Sequence, residues 1–448
     1  MIPQSGADLS PRGFGRFYLP LIATSYLLTA TNPLLAAALA RTSDPATALA
    51  GFGVAFALIG VIYAPLLVVQ QVTAQRLLSV GDITRVRRLT WVFGIGLSAF
   101  AALLAFTPAG LFVLREVVGL RDAILDEAVS AMSALWPVPV LTGIRALHQG
   151  RLVAGHRTNP IAWATGVRTG TLAFVAFALT STPAGAWLGA VAFTTGLAAE
   201  ALLVAFAPAP TPRVPELTDV EGGGEDRLLS FSSPLMLNVM LWWSTPLIIN
   251  GVLARTPEPD CSIAAFTVVE AVAWFLAAPV GQLQHASLAF VDSREAHARL
   301  RMFSGGLTAA VTMLLGILAV PELREYILWT GFRLDPSLLE PAGLAFPVAA
   351  LYPALYGHRQ YYQGLYVRAG CTDLVGRGAV LRIVVILSAA PLLLGPMGAN
   401  GARLGVTIAV VGLIAEAVYL EIMARVRVLP LFDQALRQEG EGALRPPA

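Results

Sequence analysis

The chain has 448 residues, of which 56% are hydrophobic and only 13% are charged, and its mean hydropathy of +0.69 excludes a soluble globular protein of this size. A formal net charge of +2 carries no information about nucleic acid, and we expect no nucleic-acid partner. No histidine or cysteine spacing typical of a metal site occurs. Cys261 and Cys371 fall at opposite predicted membrane faces, so we expect no disulfide between them.

The apolar residues form long runs that do not alternate with polar ones, which favours a bundle of helices over a β-barrel. A membrane-spanning helix needs about 20 apolar residues. The sequence therefore predicts an all-α membrane protein with 12 transmembrane helices, at approximately 15–40, 47–78, 89–114, 123–155, 160–180, 185–207, 228–254, 262–291, 302–320, 336–368, 375–395 and 401–424.

One long polar interruption divides these helices into two groups of six. Pro208-Ala-Pro-Thr-Pro-Arg213 is followed by Glu221-Gly-Gly-Gly-Glu-Asp226, a composition typical of a linker. We predict an N-terminal six-helix lobe at residues 1–207, a cytoplasmic linker at 208–227, a C-terminal six-helix lobe at 228–427 and a cytoplasmic tail at 428–448.

The placement of the arginines predicts the orientation of the chain. With the N terminus in the cytoplasm, 19 arginines fall on the cytoplasmic side and 7 on the other side, and basic residues favour the cytoplasmic side. Both termini are therefore expected in the cytoplasm. The remaining four arginines lie inside apolar segments, and these are Arg145, Arg168, Arg359 and Arg382.

The two halves repeat each other at an offset of 214 residues. Gly143-Ile-Arg-Ala-Leu-His-Gln-Gly150 recurs as Gly357-His-Arg-Gln-Tyr-Tyr-Gln-Gly364, and Pro139 matches Pro353. Each half has an even number of helices, so both enter the membrane with the same polarity. Such parallel repeats are related by an axis along the membrane normal, and their substrate site is expected between them near the midplane.

Arg145 and Arg359 form the core of the predicted binding site. An arginine this deep in a membrane segment costs roughly 2.5–3.5 kcal/mol, and neither has a carboxylate at matching depth in a sequence neighbour. We expect both to face a shared cavity and bind an oxyanion. The alternative is that each caps helix carbonyls or extends to the cytoplasmic surface. The accompanying polar residues are predicted to be Asn32, Gln70, His148 and Gln149 in the first repeat and Asn250, Gln284, His358, Tyr362 and Gln363 in the second.

The other buried charges are expected to be structural or to couple transport to an ion. Arg168 and Glu200 reach similar depths on adjacent helices, and Arg382 and Glu416 repeat them, so we predict two ion pairs. Glu270 has no acidic counterpart in the first repeat. It is a candidate for a coupling group, a partner for an arginine, or a residue near the outer interface.

The chain resembles the multidrug/oligosaccharidyl-lipid/polysaccharide (MOP) exporter superfamily, which includes the MATE efflux pumps, and within it a bacterial-type member of the progressive-ankylosis (ANKH) family. The arginine and glutamine-glycine signature of helices 4 and 10 contributes to this resemblance. The other residues that carry it are Leu49-Ala-Gly-Phe-Gly-Val-Ala-Phe-Ala-Leu58 with Pro65, Phe346-Pro-Val348, Arg382-Ile-Val-Val-Ile386, Gly398-Ala-Asn-Gly-Ala402, Leu404-Gly-Val406 and Gly412-Leu-Ile-Ala-Glu416.

The resemblance implies a multi-pass protein of the plasma (inner) membrane that exports a small anionic solute such as pyrophosphate, a nucleotide or citrate. MATE pumps carry coupling carboxylates in helix 1 or in the second lobe. The first helix of this chain instead offers Asn32, and the seventh offers Asn238 and Asn250. An anion exporter needs no such carboxylate, because a trivalent anion that leaves a cell negative by 100 mV gains roughly 7 kcal/mol.

Three transport functions stay open from the sequence. The first is a secondary carrier that exports an organic or phosphate-containing anion by alternating access. The second is a MATE-like multidrug efflux pump coupled to protons or sodium, with Glu270 as the proton-coupling group, and the third is a lipid-linked glycan flippase. No catalytic triad or nucleotide-binding loop occurs in the sequence. We therefore predict no enzyme activity, no cofactor, no metal, and a monomer in the lipid bilayer.

Overall fold

The computed structural model describes residues 11–76, 80–154, 159–182, 185–208, 225–291, 294–369 and 371–430. This part of the chain is almost entirely helical and contains no strand. The helices of the first half are α1 (Pro11–Thr29), α2 (Thr31–Leu39), α3 (Pro45–Arg76), α4 (Val80–Phe106), α5 (Pro108–Phe112), α6 (Asp122–Leu135), α7 (Val138–Ala154), α8 (Asn159–Ala178) and α9 (Gly185–Phe206). Those of the second half are α10 (Glu225–Leu253), α11 (Pro259–Leu276), α12 (Ala278–Gly281), α13 (Leu283–Phe290), α14 (Arg294–Gly316), α15 (Pro321–Ile327), α16 (Pro336–Ala349), α17 (Tyr352–Arg368), α18 (Thr372–Met397) and α19 (Gly401–Met423).

The helices supply twelve membrane spans. Nine in the described residues are long and apolar enough to cross a membrane singly, and three bent pairs bring the total to twelve. In chain order, spans 1–12 are α1 with α2, α3, α4, α6 with α7, α8, α9, α10, α11, α14 with α15, α16 with α17, α18 and α19. The predicted all-α, twelve-span fold in two six-helix repeats is therefore confirmed, and the orientation of the termini stays a prediction.

The expected linker and tail fall largely outside the described residues. Of the linker at 208–227, only residue 208 and residues 225–227 are described, and α10 begins within it, at Glu225. Of the tail at 428–448, only residues 428–430 are described. We use first repeat for residues 11–208 and second repeat for residues 225–430.

Spans 4 and 10 are bent at equivalent places, by 42° and 43°. Pro139 and Pro353 explain both bends, because a proline has no N–H for the carbonyl four residues earlier and its ring displaces that carbonyl. The residues four earlier are Leu135 and Ala349, and these are where α6 and α16 end. A proline shared by the repeats therefore produces the same bend in each.

The last glycine of the repeated signature allows close packing within each repeat. A Cβ atom on Gly150 would lie 2.8 Å from the carbonyl oxygen of Gln70, and one on Gly364 would lie 2.3 Å from that of Gln284. Only glycine lets span 4 meet span 2, and span 10 meet α13, at this distance. The signature thus has a packing function beside its charge.

The two repeats close on each other at the end where α2 and α10 finish. Arg255 Nη1 donates to the carbonyl oxygen of Val118 at 2.9 Å, and Val118 ends a π-helical turn of the first repeat, Val113–Val118. Gly53 also approaches the second repeat, because a Cβ there would lie 2.3 Å from Thr267 Oγ1. We call this end of the bundle the closed end.

Candidate functional site

A cavity of about 560 Å³ lies between the two repeats. Every span except 3 and 9 contributes lining residues, so the cavity is bounded about equally by both repeats. His285, at the end of the cavity away from Arg255, is exposed. The cavity has the size of small-molecule sites, which are typically about 300–1,000 Å³.

In the first repeat, one carboxylate holds two arginines on neighbouring spans. Glu200 is fully buried, and its Oε2 lies 3.1 Å from Arg168 Nη1 and 3.5 Å from Arg145 Nη1. Gln149 Nε2 and Thr165 Oγ1 donate to Oε1 of the same carboxylate at 3.0 and 3.1 Å. Spans 4, 5 and 6 are therefore joined by one buried charge cluster with an excess of one positive charge.

The second repeat contains the equivalent cluster around Glu416, which is also fully buried. Arg359 Nε donates to Oε1 at 2.7 Å, and Arg382 Nη1 lies 3.4 Å from Oε2. Gln363 does not contact this carboxylate as Gln149 contacts Glu200. Its amide oxygen instead accepts from Arg359 Nη2 at 2.7 Å.

The premise that Arg145 and Arg359 lack a carboxylate partner is wrong. The structure contains the two expected pairs, Arg168 with Glu200 and Arg382 with Glu416, and it adds Arg145 and Arg359 to them. The sequence allows charged residues of similar depth on adjacent helices to be paired, and this approach could not identify these contacts. They join residues 55 and 57 positions apart, across spans that are not consecutive.

The expectation that Arg359 faces the cavity is not confirmed, because Arg359 is not among the described lining residues. Among the described residues, the predicted site residues that line the cavity are Asn32, Arg145, Arg168, Asn250, Glu270, Gln284 and Arg382. Those placed elsewhere are Gln70, His148, Gln149, Glu200, His358, Arg359, Tyr362, Gln363 and Glu416. His358 Nε2 lies 3.5 Å from Glu421 Oε2, and the His358 and Tyr362 rings are 4.7 Å apart.

Sequence reasoning missed the aromatic side chains of the cavity. Trp242, Trp274 and Tyr356 line it from spans 7, 8 and 10, with centroid distances of 4.9–5.6 Å between their rings. Arg359 and Arg382 lie with their Cζ atoms 4.2 and 4.6 Å from the centroid of the Trp242 ring. In an apolar span, the sequence of Trp242 and Trp243 does not distinguish a cavity-lining tryptophan from one packed in the core.

Glu270 lies in the cavity wall, where the coupling role requires it. Its Oε1 accepts a hydrogen bond from Trp274 Nε1, one turn later in α11, at 3.4 Å. It is the only acidic side chain among the described lining residues. The structure leaves the coupling role of Glu270 as a prediction.

Several polar atoms of the lining residues have no hydrogen-bond partner in the described part of the chain. These are Thr31 Oγ1, Arg145 Nε, Arg168 Nε, Thr245 Oγ1, Asn250 Oδ1 and Arg382 Nε. Thr31 and Thr245 occupy equivalent positions of the two repeats. Because buried polar groups are nearly always paired, unpaired ones around a cavity are typical of a site that takes a polar ligand or water.

No protein-family model matches the chain, and no curated protein matches it in sequence. Among solved structures, an inward-facing multidrug resistance MATE family transporter of the MOP superfamily is similar with a TM-score of 0.72 and 14% identity, over 91% of this chain and 96% of that chain. A MOP superfamily transporter from Pyrococcus furiosus, described as having a binding pocket of reverse polarity, gives a TM-score of 0.62 and 13% identity over 92% and 94% of the chains.

The lipid II flippase MurJ, in an inward closed conformation, gives a TM-score of 0.61 and 11% identity over 91% of this chain and 87% of that chain. At this level of identity the similarity concerns the fold, which agrees over nearly the whole of both chains. The protein is a multi-pass membrane protein with the MATE-like fold of the MOP superfamily transporters.

Proposed function

We propose that the chain is a secondary transporter that exports an organic or phosphate-containing anion by alternating access between its two repeats. The observation that carries this proposal is the charge of the cavity. Arg145, Arg168 and Arg382 line it, against one acidic residue, Glu270. Each repeat pairs two guanidinium groups with one carboxylate, Glu200 or Glu416, so the four arginines keep a net charge of +2 against these partners, and of +1 when Glu270 is ionised.

The hydrogen-bonding capacity of the arginines supports an anionic ligand. The Nε atoms of Arg145, Arg168 and Arg382 have no acceptor in the described residues. A phosphate or carboxylate oxygen is the acceptor that a guanidinium group binds most strongly, often through two parallel hydrogen bonds. An anion that enters the cavity therefore supplies negative charge beside three lining arginines.

The membrane potential supports export as the direction. Each negative charge that leaves a cell negative by 100 mV gains about 2.3 kcal/mol, so pyrophosphate, a nucleotide or citrate needs no coupling ion to leave. The transported partner is thus a small anionic solute, and the bacterial plasma (inner) membrane is the location we propose. The likeness to the ANKH family is the basis for these three candidate substrates.

A MATE-like multidrug efflux pump is the second candidate, and Glu270 favours it. A carboxylate among aromatic rings is suited to an organic cation and can exchange a proton for it. The proposal of an anion carrier requires that Arg145, Arg168 and Arg382 outweigh this single acid. A lipid-linked glycan flippase has the same fold and stays as the third candidate.

Efflux from proteoliposomes tests the proposal. The purified chain is reconstituted, a negative-inside potassium diffusion potential is imposed, and the efflux of pyrophosphate, citrate and ATP is compared with that of the cationic dye ethidium. We expect the potential to accelerate efflux of at least one anion. If a pH gradient that is acidic outside accelerates efflux of the dye, and no anion is exported, the ranking of the two candidates is reversed.

The variant Arg145→Gln tests the site itself. We expect anion efflux to fall roughly tenfold to a hundredfold, the equivalent of 1.5–3 kcal/mol for a hydrogen bond to a charged group. The control is Arg299→Gln, which removes an arginine from the exposed surface of α14, where it pairs with Glu295. Equal efflux rates in the two variants would show that Arg145 does not bind the transported anion.

A further inference from the structure

The cavity has two unlike walls, although the repeats that form them are related. At the offset of 214, four aromatic positions of the second repeat have non-aromatic counterparts in the first. They are Trp242, Trp243, Trp274 and Tyr356, opposite Leu28, Thr29, Gly60 and Thr142. The first repeat presents two of the three lining arginines, Arg145 and Arg168, beside Thr29 and Thr142, and its aromatic lining residues are Phe52, Phe56, Tyr63 and Phe193. The second repeat supplies the three tryptophans of the described lining, Trp242, Trp243 and Trp274, together with Arg382 and Glu270. The two walls therefore differ in their arginines and tryptophans, and we call the surface formed by Trp242, Trp274 and Tyr356 the aromatic wall.

The aromatic wall is a connected set of rings. Trp274 and Tyr356 meet edge to face at 79° with centroids 4.9 Å apart, and Trp242 lies 5.6 Å from Trp274 at 69°. Trp243 crosses to the first repeat, where its ring lies 5.3 Å from that of Tyr63. A flat ring inserted between the repeats would contact aromatic groups from spans 7, 8 and 10 at once.

The charged groups next to the aromatic wall affect the kind of ring it favours. Aromatic faces attract cations, but two protein cations already lie over the Trp242 ring, Arg359 at 4.2 Å and Arg382 at 4.6 Å, and they share one counter-charge, Glu416. An organic cation at this wall would meet these guanidinium groups at close range, and Glu270, which accepts a hydrogen bond from Trp274, would be its one acidic partner among the described lining residues. A ring that belongs to an anion would meet attraction from them as well as from Arg145 and Arg168.

We propose that the cavity binds an anion that carries a planar aromatic ring, with the ring against Trp242, Trp274 and Tyr356 and the acidic group at Arg145 and Arg168. This inference rests on the proposed anion transport and names the substrate class more closely. A cavity of about 560 Å³ holds a bicyclic ring with one acidic group. Pyrophosphate and citrate, which have no ring, would leave the aromatic wall uncovered.

Three probes separate ring from charge. Naphthalene-2-sulfonate and cyclohexanesulfonate carry the same acidic group on an aromatic and a saturated ring, and 2-naphthylmethylammonium carries an aromatic ring on a cation. Dissociation constants are measured by calorimetry on the purified full chain in detergent, and efflux is measured from proteoliposomes. We expect naphthalene-2-sulfonate to bind about tenfold more tightly than cyclohexanesulfonate and to be the better substrate.

Variants of Trp274 show whether the wall causes the difference. Trp274→Leu keeps apolar volume and removes the ring. The ratio of the two dissociation constants should then fall to the value expected from the larger apolar area of the naphthyl group alone. Trp274→Phe restores a ring and should restore most of the preference. Trp163→Leu is the matched control, because Trp163 is 78% exposed on the outside of span 5. If Trp274→Leu does not fold, the wild-type ratio and Trp242→Leu still decide the question.

The outcomes distinguish this inference from the proposed function. Equal affinity for both sulfonates in the wild type, or an unchanged preference in folded Trp274→Leu, overturns the aromatic wall. Potential-driven efflux of cyclohexanesulfonate or citrate would in that case still support an anion carrier. Binding of the naphthyl cation without either sulfonate overturns both proposals.

Discussion

Arg359 donates from Nε to Oε1 of Glu416 at 2.7 Å, the shortest contact between the four buried arginines and their two carboxylates. Arg359 is not among the residues that line the cavity, while Arg382, which shares the same carboxylate, is one of them. Two arginines with one partner thus have different surroundings. This difference separates the contribution of charge to folding from its contribution to ligand binding.

Arg382→Gln and Arg359→Gln form a matched pair. Both remove one positive charge from Glu416, so we expect similar losses of thermal stability in detergent. Only Arg382 lines the cavity, so Arg382→Gln should lower anion efflux and affinity by about tenfold more than Arg359→Gln. Melting curves and efflux rates of both variants check this. A larger transport defect in Arg359→Gln than in Arg382→Gln would mean that Arg359 contacts the solute.

Glu416→Ala is expected to destabilise the fold strongly. It leaves two buried guanidinium groups, Arg359 and Arg382, without their counter-charge, and breaking a buried ion pair on one side costs about 3–5 kcal/mol. The melting temperature of the purified protein is the measurement. Glu295→Ala is the control, because its pair with Arg299 is on an exposed helical face and contributes little. Similar melting temperatures for wild type and Glu416→Ala would contradict the structural role.

Arg255→Ala is expected to loosen the closed end of the cavity. Arg255 crosses from the second repeat to the carbonyl oxygens of Val118 and Val117, at 2.9 and 3.5 Å. Loss of these bonds should raise the population open at that end about fivefold, the equivalent of ~1 kcal/mol. Arg115→Ala, which changes an exposed residue of the neighbouring π-helical turn, should have no such effect.

Spin labels on either side of the closed end measure this shift. Arg121→Cys and Glu258→Cys place labels at exposed positions of the two repeats, with Cys261→Ser and Cys371→Ser to remove the native thiols. Electron–electron distance distributions of Arg255→Ala should gain a longer component. If the distribution matches that of the parent, the Arg255 contact does not control opening at this end.

Glu270→Gln tests the coupling role. If Glu270 carries protons, the variant should lose any acceleration by an imposed pH gradient and keep the acceleration by membrane potential, because Arg145, Arg168 and Arg382 are unchanged. Parallel efflux assays with each gradient alone check this. A full response of the variant to the pH gradient would exclude Glu270 as the coupling group, and a loss of both responses would indicate a role in substrate binding.

The sequence by itself determined the fold and its symmetry. Composition and run length predict twelve spans because the bilayer imposes the same length and apolar character on every spanning helix. The offset of 214 predicts two parallel repeats and matches Pro139 with Pro353, and the spans that contain these prolines are bent by 42° and 43°. These features depend on local sequence or on the membrane, and neither requires knowledge of which helices touch.

Only the tertiary structure decided which arginines line the cavity. Arg145 and Arg359 are equivalent in sequence, yet Arg145 is among the lining residues and Arg359 is not. Their partners lie on spans that are not their sequence neighbours, Glu200 on span 6 for Arg145 and Glu416 on span 12 for Arg359. The depth of a residue in the membrane does not indicate which spans are in contact. The unlike walls likewise emerge when spans 7, 8 and 10 bring their rings together. Helix formation is set by neighbours along the chain, whereas the direction and partner of a buried charge are set by packing between helices distant in sequence.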